Sequence, residues 1–191
     1  MKICFATNNG HKLQEIREIL GERFEVISLK EAGFDGEIPE THETLEENSL
    51  EKAEFVYQRI KTPIFSDDSG LEIPALDGRP GVHSAHYAGT RDAQANMSKV
   101  LNEMTGIEDR RAQFRAVITF FDGSQSQQFE GIVKGHIASE QSGVDGFGYD
   151  PIFIPEINQV TFAEMSAEAK NAISHRKRAV EKLAIFLNSI S

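Results

Sequence analysis

The densest concentration of reactive side chains is the adjacent carboxylate pair Asp67-Asp68, followed by Ser69-Gly70. The pair closes the apolar run Ile64-Phe65, so a strand should carry both carboxylates to a sheet end, with a sharp turn at Ser69-Gly70 exposing them. Upstream stand Glu40, Glu43, Glu46 and Glu47. Oxygen ligands from separate segments suit Mg²⁺, which takes one or two carboxylates and completes its shell with water and phosphate oxygens. A carboxylate beside such a cation can also orient a water and take its proton. Glu47 has a different use, because Thr44 and Glu47 form the S/T-x-x-E pattern that caps a helix. Glu46 reads with it as a solvated helix face, and Glu43 stays open. The plain alternative has Asp67 capping the turn.

Three other segments carry candidate binding groups. Thr7-Asn8-Asn9-Gly10-His11-Lys12 lies between an apolar run and a helical pattern. Free N–H groups and the helix dipole suit that junction to an anion, with Thr7, Asn8 and Asn9 as short donors. Gly10 permits close backbone approach and Lys12 adds a point charge. A Walker loop is absent, and a capped helix with a solvated lysine explains the same residues. In Gly146-Phe147-Gly148-Tyr149-Asp150-Pro151, two glycines flank an aromatic that could stack on a planar base, and Asp150 can accept from N–H groups. The plain alternative has Phe147 and Tyr149 packed inward. Lys170 and Ser174-His175-Arg176 place donors about a helix start, where they would favour a purine with an O6 acceptor over adenine, unless they are only an exposed basic helix end.

Periodicity supplies the elements that must position these groups. Residues 2–6 read as a buried strand, Leu13, Ile16, Ile19 and Leu20 as a helix stopped by Gly21, and Phe24–Leu29 as a second strand. A βαβ-like start follows. Residues 30–43 read as loop, and the helix after Thr44 presents Leu45, Ser49, Ala53, Val56 and Ile60 on one face. Asp92 caps a helix that Gly106 closes. Phe114–Phe120 alternates as a strand, Asp122-Gly123 signals a hairpin, and the return runs from Gln127 to Ile137. A short helix near Phe162–Ile173 and a longer one through Ile190 end the chain. The class is α/β with a mixed sheet, and residues 1–191 read as one domain.

Bulk composition narrows the function further. The net charge of −10 and the lack of a dense basic stripe argue against nucleic-acid polymers, while leaving a small anion possible in a local pocket. No run is long and apolar enough for a membrane span, and no leader pattern is visible, so a cytoplasmic location is expected. The single cysteine, Cys4, reads as a small buried hydrophobe.

In joint order, T-N-N-x-x-K, S-D-D-S-G-L, F-G-Y-D-P and K-x-x-x-x-S-H-R closely resemble the inosine triphosphate pyrophosphatase family, from about Lys2 to the last helix. The resemblance implies a two-lobed α/β fold with an elongated mixed sheet, a substrate cleft between lobes and a homodimer. It implies a small-molecule substrate, dITP, ITP or XTP, cleaved to monophosphate and pyrophosphate with Mg²⁺ as cofactor. Carried onto this sequence, Asp68 is the catalytic residue and Glu40 with Asp68 holds the metal. Thr7, Asn8, Asn9, Gly10, His11 and Lys12 bind phosphate, and Ser69 touches substrate. Phe147, Gly148, Tyr149, Asp150, Lys170, His175 and Arg176 form the base pocket. The competing readings are a septum-inhibitor-like nucleotide pyrophosphatase with another base preference, and a non-catalytic nucleotide-binding protein.

Overall fold

A computed structural model describes residues 1–190, with the side chain of His11 outside the described set. The chain runs β1 (Lys2–Phe5), α1 (Gly10–Leu20), β2 (Glu25–Ile27), α2 (Leu45–Ile60) and β3 (Ile64–Glu72). It continues through α3 (Ala93–Glu103), β4 (Arg111–Phe121), β5 (Ser126–Ile137), β6 (Phe153–Pro155), α4 (Ala167–Ile173) and α5 (His175–Ile190). The six strands lie in the order β2-β1-β3-β4-β5-β6. β1 pairs parallel with β2 and β3, and β5 pairs antiparallel with β6, so the sheet is mixed. The fully buried run Ile3-Cys4-Phe5 fits a strand covered on both faces, the usual state of parallel strands. Burial also pushes the Cys4 thiol up to about 12, so it acts as core rather than as a nucleophile. Among the described residues no helix is long and apolar enough to cross a membrane.

The chain forms two compact units, and the residues of β3, β4 and β5 are divided between them. The first comprises Met1–Asp68, Ala116–Gly131 and Arg176–Ser191; the second comprises Ser69–Arg115 and Ile132–His175. In the first, α1 and α5 pack through Ile16 and Leu183 onto one group of buried residues that includes Phe5 and Phe65, whose rings stack at 4.6 Å. α2 packs through Ala53 and Val56 onto another, with Cys4 and Ile64. The core of the second unit gathers Leu71, Ile73, Phe114, Phe153 and Phe162.

Local patterns translate directly where the chemistry is local. The Thr44 hydroxyl accepts the Glu47 N–H at 3.2 Å and donates to the Glu47 carboxylate at 2.8 Å, fixing the start of α2. Asp92 accepts the Ala95 N–H at 2.6 Å and starts α3. The hairpin turns through the four residues Asp122–Gln125, with Gly123 at φ +96°. The expected helix near Phe162–Ile173 divides into a 3₁₀ turn, Phe162–Glu164, and α4, because Ser166 caps a new start by accepting from Ala169 N–H at 3.2 Å.

One expectation is overturned. No turn follows Asp68: β3 continues through Ser69 and Gly70 to Glu72. Gly70 is required for close approach, since a Cβ there would overlap the Gly81 carbonyl. The next residue is pinned as well, with Leu71 N–H donating to Ser84 Oγ at 2.9 Å.

Candidate functional site

In the first unit, α1 begins where Asn9 Oδ1 accepts the Lys12 N–H at 3.3 Å, an N-cap, and the Asn9 N–H donates to Thr7 Oγ1 at 3.1 Å. Asn8, Asn9 and Gly10 are exposed, and Thr7 is half-buried. That cap places Lys12 in the first turn, with its ammonium 2.8 Å from Asp67 Oδ2. Arg176, at the start of α5, brings Nε to 3.3 Å from the same oxygen and Nη1 to 3.0 Å from Glu15 Oε2. Asp67 and Arg176 are only 2% and 3% exposed. Burial alone would raise the Asp67 carboxyl; Lys12, Arg176 and Lys52 outweigh it and hold the group well below the usual carboxylate range. Asp67 is thus an ionised anchor for two cations.

Successive side chains on a strand point to opposite faces of a sheet. Asp67 therefore meets α1 and α5, while Asp68 meets α2. Lys52 of α2 puts its ammonium 3.4 Å from Asp68 Oδ1 and 2.7 Å from Glu40 Oε1. For Asp68 the balance runs the other way from Asp67. Burial raises its carboxyl, Lys52 opposes, and Glu40 and Asp67 add to the rise. A half-buried carboxylate with a raised pKa is suited to accept a proton. Lys52 stays charged, because its three carboxylate neighbours overcome the burial that would lower its pKa.

Glu40 and Asp68 also fit a divalent cation. Their oxygens already converge on a single positive atom, and two hard donors, with phosphates and water to complete the shell, are a set that Mg²⁺ would accept. No group of three or more His, Cys, Asp or Glu side chains is arranged for a metal among the described residues. Asp67 is committed to Lys12 and Arg176 instead.

The second unit builds a different kind of site. Gly146 and Gly148 sit at φ +79° and +62°, turning the chain about Phe147, which is 50% exposed. Asp150 is buried and does not face outward. Its Oδ2 accepts the Phe147 N–H at 2.7 Å and the Lys170 ammonium at 2.5 Å. A Cβ at Gly146 would overlap that carboxylate. Lys170 Nζ lies 4.4 Å from the centre of the Phe147 ring. Tyr149 is buried, with its hydroxyl donating to the Ser84 carbonyl at 2.8 Å, so it anchors the loop from below. His175 is buried and stacks on Phe114, with centroids 5.0 Å apart and planes 13° apart.

The candidate residues therefore separate into two groups. Thr7 to Lys12, Glu40, Asp68 and Arg176 belong to the first unit; Ser69, Phe147 to Asp150, Lys170 and His175 belong to the second. The His11 side chain lies outside the described residues. Arg176 is brought to Asp67 and Glu15, whereas Lys170 is brought to Asp150 and Phe147. Sequence reasoning overlooked Lys52, Glu15 and Ser84. Lys52 had a signal: it falls three residues after Ser49 and four before Val56, inside the buried stripe of α2. Glu15 stands one turn beyond Lys12 on α1, which is a weaker hint.

A profile of the Ham1 family matches residues 3–186. The chain is 52% identical over 188 residues to a dITP/XTP pyrophosphatase of Porphyromonas gingivalis, covering 97% of each protein. It is 48% identical over 189 residues to a dITP/XTP pyrophosphatase of Bacillus subtilis, covering 96% of each. Its fold matches the Ham1 protein of Staphylococcus aureus with a TM-score of 0.93 at 39% identity, over the whole of both chains. With nearly its whole length matched in sequence and fold, the chain belongs to the Ham1 family.

Proposed function

We propose that this chain hydrolyses non-standard purine nucleoside triphosphates, dITP, ITP and XTP, to the monophosphate and pyrophosphate. The similarity to dITP/XTP pyrophosphatases over almost all of both chains supports the reaction and substrate class. The observation that carries the mechanism is the opposite setting of two adjacent carboxylates: Asp67 is held between Lys12 and Arg176, while Asp68 shares the Lys52 ammonium with Glu40.

In this reading Asp68 orients a water and takes its proton as the oxygen attacks a phosphorus of the α–β anhydride. The α–β bridging P–O bond breaks, and the products are the monophosphate and pyrophosphate. Lys12, held by Asp67, and the exposed N–H groups at the start of α1 bind phosphate oxygens. Glu40 and Asp68 would hold Mg²⁺, whose chemistry here is to neutralise phosphate charge. In the second unit, Phe147 offers a planar face to the base, and Lys170 and His175 supply donors that match an O6 acceptor. Adenine would leave such donors unpaired, at a cost of about 1–3 kcal/mol for each buried group.

The test is incubation with ITP and Mg²⁺, assaying pyrophosphate separately from orthophosphate, with ATP, GTP and an Asp68→Ala variant alongside. The expected result is IMP plus pyrophosphate, strong preference over ATP, and a loss of about 10²–10⁴-fold in kcat for Asp68→Ala. Orthophosphate with IDP would place the phosphates in another register. Near-normal turnover by the variant would remove Asp68 from its role.

A further inference from the structure

A lysine on the buried stripe of a helix is a costly choice. Lys52 lies with Asn48, Ser49, Ala53 and Val56 on the covered face of α2, and its side chain is only 7% exposed. An ammonium taken that far from water persists only where carboxylates compensate for its lost hydration. Two do so by direct contact: Glu40 Oε1 at 2.7 Å and Asp68 Oδ1 at 3.4 Å. Those are the same two oxygen-bearing groups that the mechanism assigns to the divalent cation. Mg²⁺ holds its oxygen ligands at about 2.0–2.1 Å. An ammonium and a divalent cation cannot both occupy the point where Glu40 Oε1 and Asp68 Oδ1 converge, on steric grounds and because like charges repel.

We infer that Lys52 is a resident stand-in for the metal: its ammonium neutralises Glu40 and Asp68 in the metal-free protein, and a divalent cation enters by displacing it. The inference deepens the proposed function and rests on its assignment of Glu40 and Asp68 as metal ligands. Metal binding is then an exchange, in which the pair loses one positive charge as it gains two. Lys52 keeps its proton throughout and needs a new anionic partner once it is displaced. Asp67, the third carboxylate near Lys52, is already held by Lys12 and Arg176, so without substrate the displaced ammonium gains little and the cation alone binds weakly. A triphosphate brings oxygens for the freed ammonium, so cation and nucleotide raise each other's affinity. Lys52 thereby acts as a positioning residue: it keeps two like-charged groups together before substrate arrives and discourages metal capture by the empty enzyme.

Mn²⁺ binding to the full chain without nucleotide, followed by the electron-spin resonance of the free ion, reads this exchange without turnover. Lys52→Met keeps the apolar stem and removes the competitor. It should bind Mn²⁺ about tenfold more tightly than the wild type, while its metal-free form melts at a lower temperature. Equal or weaker binding by a folded Lys52→Met protein overturns the exchange and leaves the metal site standing. Absence of divalent binding in both proteins, with and without nucleotide, overturns the assignment of Glu40 and Asp68 as ligands. A second measurement needs only wild-type protein carrying [ε-¹³C]lysine, with the Lys52 signal assigned by its loss in Lys52→Arg. Saturation with Mg²⁺ should shift that signal markedly, and a signal that stays in place at saturation overturns the inference even if Lys52→Met does not fold.

Discussion

The two units handle ligand chemistry in opposite ways. In the first, Lys12, Lys52 and Arg176 interlock with Glu15, Glu40, Asp67 and Asp68, and much of this charge is under cover. In the second, the loop around Phe147 is tied by one buried pair, Lys170–Asp150, and what faces outward is an aromatic ring. The first arrangement makes function and stability depend on the same bonds, because each buried charge is another's compensation. The second keeps them apart: the tie lies inside and the exposed ring does little structural work. A phosphate group needs fixed positive charge, which must be anchored. A purine needs a flat face, which a pinned loop can offer cheaply.

The sharpest way to break that contrast is to neutralise the anchor. Asp67→Asn leaves Lys12 and Arg176 near a group that still accepts a hydrogen bond but no longer balances their charge. Truncating one partner of a buried ion pair costs about 3–5 kcal/mol, and the retained amide oxygen places this variant near the lower end. At about 2–4 °C per kcal/mol for a chain of this size, the melting temperature should fall by about 6–12 °C. Activity on ITP should fall with it, since Lys12 loses its fixed position. A change below about 1 kcal/mol in urea unfolding would show that the network is not structural, and the contrast would fail on its first side.

The other side is tested at Phe147. Phe147→Ala removes an exposed ring and its contact with Lys170 while sparing the N–H that Asp150 accepts. Stacking on a base is worth about 1–3 kcal/mol, so kcat/KM for ITP should fall by about 5- to 150-fold, mainly through KM. Stability should change by less than about 1 kcal/mol. A large loss of stability with unchanged KM would mean that the ring is core rather than platform, and that the second unit behaves like the first.

These contrasts were only partly legible in the sequence. Caps and periodic faces were, because Thr44-Glu47, Asp92-Ala95 and the β1-α1-β2 pattern depend on neighbours a few residues away. β3 was misread at Ser69-Gly70 because glycine after Asp-Ser looks like a turn, and only the carbonyl of Gly81 explains why a strand needs glycine there. Lys52 was passed over because α2 is rich in surface charge, and one lysine among glutamates reads as solvated until its position on the buried stripe is weighed. Arg176 was assigned with its sequence neighbour His175, yet it reaches Asp67 across a separation of 109 residues. Local grammar gave the elements and the residue types; the pairings that decide which carboxylate does what depend on the tertiary fold.

The smallest expected effect isolates charge that is local rather than networked. At the β4–β5 hairpin, Asp122 accepts the N–H groups of Ser124 and Gln125 at 2.8 and 2.9 Å. These backbone donors, Gln125 first, hold its carboxyl down to about 2 from an ordinary 3.8. A folded-state pKa below the unfolded value contributes stability that is fully present above about pH 4 and is lost as pH falls toward 2. Because solvent screens this partly exposed group, its contribution should stay under about 1 kcal/mol. Asp122→Asn keeps an acceptor and removes the titration. Urea midpoints at pH 7, 4.5 and 3 should show the variant slightly weaker at the two higher values, with the gap narrowing at the lowest. A gap that holds constant over that range would mean that hydrogen-bond geometry alone, not the carboxylate's charge, stabilises the turn. A gap as large as that of Asp67→Asn would mean that buried networking gives the anchor no special weight.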